Sequence, residues 1–112
     1  MQMMTTTIAI PIWQGRVSPV FDVAGNLLVA EVAAGRIENR QRVPLPAGHP
    51  IDRARRLTEL KADVLICGAI SRPLEIALTD AGIEVVPRIC GDTEQVLAAY
   101  LEGNLVTTEF LM

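Results

Sequence analysis

Three side chains in this 112-residue chain are the natural ligands of a soft metal: Cys67, Cys90 and the one histidine, His49. Thiolate and imidazole donate to such metals, yet free cysteine is also among the most buried residues. Cys67 follows an apolar run and precedes Gly68, which suits core packing as well as ligation. Cys90 stands just before a capped helix, where the helix dipole favours a thiolate, and is the better ligand candidate. His49 precedes a helix start and reads as an exposed loop residue or a ligand. A second group lies in PIWQGRVSPVFDVAG, residues 11 to 25. It holds Trp13 and Phe21, two of the chain's four aromatics. In one reading the two rings lid the core and Asp22 ties a turn. In the other, Arg16, Ser18 and the amides near Gly15 meet an anion, with Trp13 as a wall. Arg40, Arg42, Arg53, Arg55 and Arg56 form a further basic group, read as a solvated surface or a face for an acidic partner.

The elements that must position these residues follow from periodicity. Thr5 to Ile10 reads as a first strand that stops at Pro11. Asn26 to Ala33 is a second strand, Ala34-Gly35 a tight turn, and Arg36 to Val43 a third strand whose polar residues suit an edge. From Pro50 to Leu60, Ile51, Ala54, Leu57 and Leu60 recur at helical spacing. Asp63 to Ile66 is a fourth strand. Ser71 can cap a second helix ended by Gly82, and Ile83 to Val86 is a fifth strand stopped by Pro87. Asp92-Thr93-Glu94-Gln95 opens a last helix through Leu101, closed by Gly103. Residues 104 to 112 carry no pattern and read as a tail or an edge segment.

The order βββαβαβα predicts an α/β fold with a five-stranded mixed sheet, order 3-2-1-4-5, the second strand antiparallel and helices on both faces. That is a ribonuclease H-like, three-layer topology. Ligands in such sheets sit outside the carboxyl ends of the parallel strands. Three segments should therefore meet at one rim. The first brings Trp13, Arg16, Ser18 and Asp22; the second Cys67, Gly68 and Ser71; the third Arg88, Cys90 and Gly91. A nuclease would need carboxylates on the first and fourth strands to hold two Mg²⁺ ions. The first strand has none, and Asp63 lies at the wrong end of the fourth. No nucleophile is spaced to meet His49, so hydrolase chemistry also lacks its parts.

Composition agrees. Half the residues are hydrophobic and the aromatics are few, as in an aliphatic sheet packed on helices. The length suits one domain, residues 1–112, with its core over about 5–102. A net charge of −3 argues against non-specific nucleic-acid binding, and no nucleic-acid partner is expected. No apolar run spans a bilayer, and MQMMTTT is unlike a secretory signal, so the expected compartment is the cytoplasm. Two cysteines make no disulfide framework.

Several stretches together resemble the dinitrogenase iron–molybdenum cofactor biosynthesis family. These are Ile8-Ala9-Ile10-Pro11 running into Gly15-Arg16-Val17-Ser18-Pro19-Val20-Phe21-Asp22, then Ile66-Cys67-Gly68-Ala69-Ile70-Ser71. Gly82-Ile83, Gly91-Asp92 and Leu101-Glu102-Gly103 complete the pattern, from about residue 7 to 110. The family comprises small domains related to nitrogenase cofactor carriers and to the C-terminal part of the cofactor-assembly radical enzyme. The resemblance implies a ribonuclease H-like fold without nuclease carboxylates. It implies a non-catalytic role, binding or carrying an iron–sulfur or iron–molybdenum cofactor or its precursor, with nitrogenase or cluster-assembly proteins as partners. Cys67, Cys90 and His49 would donate to iron, while Arg16 and the helix N-termini offset negative charge. The alternative is an accessory module that binds a small anion or a protein without metal. The edge at the third strand permits a monomer or a homodimer.

Overall fold

A computed structural model describes residues 5–46, 48–105 and 109–112. The opening MQMM and residues 106–108 of the tail lie outside the described residues. Strand β1 (Thr5–Trp13) is followed by β2 (Arg16–Val17), a 3-10 turn (Phe21–Val23), β3 (Asn26–Ala33) and β4 (Arg36–Pro44). Then come α1 (Pro50–Glu59), β5 (Val64–Ile66), α2 (Arg72–Asp80), β6 (Glu84–Val86) and α3 (Thr93–Glu102).

The sheet runs β4-β3-β1-β5-β6, with β3 antiparallel to β1 and β4 and with β5 parallel to β1 and β6. The expected order and directions are therefore present, but the sheet has six strands rather than five. The sixth is β2, which pairs back on β1 through Ile12↔Val17 and Trp13↔Arg16. Its presence also corrects the end of the first strand. Pro11 does not stop β1; it is the last residue paired with β3, opposite Leu27. A proline fits there because its carbonyl still accepts from the Ser18 N–H, at 2.8 Å.

Alternation along the strands divides the core. Ala9, Leu27, Val29 and Leu65 face one side, where they pack with Ala54 and Leu57 of α1 and Leu74 and Leu78 of α2. Ile8, Ile10, Ala30, Val32, Val64 and Ile66 face the other, against Val96, Leu97 and Ala99 of α3. Helices thus cover both faces. The period of two puts each strand's neighbours on opposite sides, and crossovers to parallel strands need the helices. Phe110, from the patternless tail, is buried in the α3 layer. No described helix is long and apolar enough to cross a membrane.

Candidate functional site

The peculiar composition of residues 11 to 25 is explained by a strap that crosses the carboxyl ends of the parallel strands. Gln14 and Gly15 both have positive φ, 53° and 77°, the two-residue turn whose twist matches a hairpin. The strap is then fastened by main-chain groups to both crossovers. On the α3 side, the Val17 N–H donates to the Gly91 carbonyl at 3.0 Å. The Thr93 N–H and hydroxyl both donate to the Gly15 carbonyl, at 3.0 and 2.9 Å. On the α2 side, Ala69 N–H donates to Pro19 and Phe21 N–H donates to Ala69, each at 2.8 Å. The Asp22 carboxylate accepts from the Ser71 N–H at 2.8 Å. The two crossovers are themselves joined, with Arg88 N–H donating to Gly68 and Ile89 N–H to Cys67, both at 2.9 Å.

The three segments therefore do meet at one rim. They also fill it. A Cβ at Gly68 would stand 2.6 Å from the Pro19 carbonyl oxygen and 2.8 Å from that of Ser18. Only a glycine lets the strap lie this close. The open space falls to either side. One groove of about 420 Å³ is lined by Trp13, Ser18, Pro19, Val20 and Val23 among others. A second, of about 300 Å³, lies between Ala69-Ile70 and Pro87-Arg88, with Glu75 and Met112.

The candidate residues sort accordingly. Trp13 is 59% exposed beside the first groove, whereas Phe21 is wholly core. Ser18 is buried, with its amide bound to Pro11. Arg16 and Arg88 are exposed, and neither joins an ion pair among the described residues. Arg88 holds φ at 62°, a left-handed backbone that costs a side-chain-bearing residue about 1–2 kcal/mol. Such strain tends to persist where a site needs it. Gly91, at φ 124°, accepts from Val17, and a Cβ there would stand 3.4 Å from the Phe110 ring. Ser71 begins α2, but its hydroxyl makes no cap bond and is buried without a partner.

The three metal candidates are held apart in character. Cys67 is fully buried on the α1–α2 side of the sheet. Burial, aided by the charges of Glu75 and Asp22, pushes its thiol from 9.0 up to about 12, so it stays protonated at neutral pH. Cys90 is half-buried against the C-terminal segment. Its N–H donates to Phe110 at 2.7 Å, and its Sγ lies 3.7 Å from the Leu111 carbonyl. His49 is exposed and caps α1, its Nδ1 accepting from the Ile51 N–H at 3.2 Å. Among the described residues no three His, Cys, Asp or Glu side chains are grouped to hold a metal ion.

The model of the dinitrogenase iron–molybdenum cofactor family matches residues 4–103. The chain belongs to that family. Its fold is also that of three solved structures. PH0822 is 21% identical, with a TM-score of 0.86 over 92% of this chain and 95% of that one. MJ0327 from Methanocaldococcus jannaschii, proposed to be a dinitrogenase, is 15% identical, with a TM-score of 0.74 over 91% and 93%. The apo form of the orange protein from Desulfovibrio gigas is 26% identical, with a TM-score of 0.74 over 96% of each chain. No curated protein matches the chain.

Within this member of the dinitrogenase iron–molybdenum cofactor family, sequence reasoning missed two residues of the rim. Thr93 is buried and binds the strap through two donors. Its place beside Asp92 suggested only a helix start. Arg72, exposed in the first turn of α2 and outside any described ion pair, adds a third cation to Arg16 and Arg88. It follows Ser71 directly, which was the available signal.

Proposed function

We propose that this single domain binds and carries an iron–sulfur or iron–molybdenum cofactor, or its precursor, as cargo during metallocluster assembly, without catalysing a reaction on it. Family membership supports the link to the cofactor. The observation that carries the reading is the two exposed guanidiniums of the rim segments, Arg16 and Arg88, which join no ion pair among the described residues. A guanidinium favours an anion, and sulfide-rich clusters are anionic. The donor set argues for how the cargo is held. With Cys67 buried as a thiol, ligation by several thiolates does not fit; Cys90 is the one sulfur near the surface. Charge and shape around the strap, with Trp13 as a wall, would do most of the holding.

In this reading the sheet is of ribonuclease H-like type without its carboxylates, and the setting is cytoplasmic. The donors and acceptors of the cargo are nitrogenase or cluster-assembly proteins, and β4 leaves an edge for a homodimer. A second reading, a module that binds a small anion or a protein without metal, is favoured by the lack of a grouped donor set among the described residues.

Anaerobic loading with iron and sulfide, or with isolated cofactor, separates them by charge-transfer absorption. Under the carrier reading the wild type gains absorption, Arg16→Gln with Arg88→Gln loses most of it, and Cys67→Ala keeps it. Cys90→Ala tests the one accessible thiolate. A wild type that gains nothing, or a double arginine variant that loads equally well, favours the metal-free module.

A further inference from the structure

Among the five arginines grouped by sequence, Arg53 departs from the expected solvated surface. Arg40 pairs with Glu94, but Arg53 is only 4% exposed. Its Nη1 donates to the carbonyls of Phe21 at 3.2 Å and Ala24 at 2.9 Å. The guanidinium lies 5.9 Å from the Phe21 ring centroid. Both acceptors are neutral, and no carboxylate pairs with Arg53 among the described residues. Nε is buried with no partner. That atom belongs to the guanidinium edge that grips a carboxylate or phosphate at two points. A buried cation without a counter-ion is costly; desolvation lowers its proton affinity, with the Asp22 charge opposing.

Arg53 also lines a groove of about 310 Å³ between Pro44–Pro46 and α1. Arg55 and Arg56 line it too, as do Asp52 and Glu59. Those carboxylates lie 3.7 Å from Arg55 and 3.9 Å from Arg56, on exposed side chains. Such long surface pairs contribute little and release easily. The groove thus sets three cations against two acids, and its buried cation is the one with no salt-bridge partner among the described residues, the Asp22 charge acting only at longer range.

We propose that this groove is a binding site for a small two-pronged oxyanion, a carboxylate or a phosphate, seated on Arg53 between Pro44–Pro46 and α1. Arg55 and Arg56 close over the anion from the helix. Because the same guanidinium holds the Phe21 and Ala24 carbonyls, occupancy is communicated to the strap. The site is independent of the cargo reading and is tested without any cluster.

Amide NMR of the full chain, titrated with inorganic phosphate and separately with malonate, decides the matter against chloride at equal ionic strength. Saturable shifts are expected at Leu45, Arg53 and Arg56, and through the strap at Phe21 and Ala24. Arg55→Gln with Arg56→Gln should weaken the affinity about tenfold or more, the scale of lost charge-assisted bonds, with an unchanged fold. Saturation by phosphate alone or by malonate alone supports the site and identifies its source. Arg53→Lys, which keeps the charge but loses the two-point edge, should weaken binding as well; if it fails to fold, the double glutamine variant alone is decisive. Equal shifts with chloride, or undiminished affinity in that variant, overturn the proposal.

Discussion

Helices α2 and α3 both start at the carboxyl edge of the sheet, and both need acceptors for the N–H groups that a first turn leaves bare. Helix α3 has a side-chain acceptor of its own, since Asp92 accepts from the Gln95 N–H at 3.0 Å, besides the Gly15 carbonyl of the strap, which takes the Thr93 N–H. Helix α2 borrows one: Asp22 reaches the Ser71 N–H from the strap, 49 residues earlier in the chain, while the local hydroxyl of Ser71 stays unbonded. One side-chain cap is thus a local device and the other a tertiary one. The difference teaches that α2 and the strap share one carboxylate and form a single unit, so that its loss should loosen both. The Asp92 side-chain cap, by contrast, can fail while the Gly15 carbonyl still holds Thr93.

The hardest test of that unit is Gly68→Ala. The new methyl would press on the backbone oxygens of Ser18 and Pro19, which cannot swing aside as a side chain would. A loss of about 3 kcal/mol is expected, at the upper end for overpacking. Urea unfolding gives the loss, and hydrogen exchange should show the strap amides of Val17, Ser18 and Phe21 opening first.

Next come the two aspartates. Asp22→Ala should cost about 2 kcal/mol and Asp92→Ala about 1 kcal/mol, spanning the range for lost caps. Hydrogen exchange should show Asp22→Ala exposing the strap and the start of α2 together, and Asp92→Ala only the first turn of α3. Matching, purely local patterns would dissolve the distinction between the two starts.

Cys67 gives a milder, pH-dependent probe of the α2 side. Its folded thiol ionises only near 12, against 9.0 ordinarily. The folded chain keeps a proton that the unfolded chain releases. This contribution to stability is whole below pH 9 and is lost as pH rises toward 12, at up to about 1.4 kcal/mol per pH unit. Urea midpoints compared between about pH 8 and about pH 10.5 should fall more steeply for wild type than for Cys67→Ala. The smallest effect is expected at Ser71. Removing a buried hydroxyl that bonds to nothing should be neutral or stabilise by up to about 1 kcal/mol, which thermal unfolding of Ser71→Ala will register.

The same contrast between local and distant control explains what could be read in the sequence. Ala34-Gly35 and Gln14-Gly15 adopt nearly the same pair of positive φ angles, yet only the first was legible as a hairpin turn. Long alternating strands flank it on both sides. The other is preceded by Pro11, which mimics a strand end, and followed by a strand of two residues. Strand order was legible because apolar alternation and crossover rules act over whole elements. The rim segments were placed correctly by topology for that reason. How they interlock was not, since it rests on main-chain bonds such as Ala69 to Pro19 that leave no trace in residue type. The burial of Arg53 was hidden likewise: its acceptors, Phe21 and Ala24, are carbonyls that every residue possesses.

That main-chain suturing has an engineering consequence. Along the strap, the conformation is set largely by peptide groups and by Gly15, Gly68 and Asp22, while Trp13, Arg16 and Val20 project outward without fastening anything. Their identities are free to be randomised without unpicking the loop. A library varied at these positions would present new outer surfaces on an unaltered chassis.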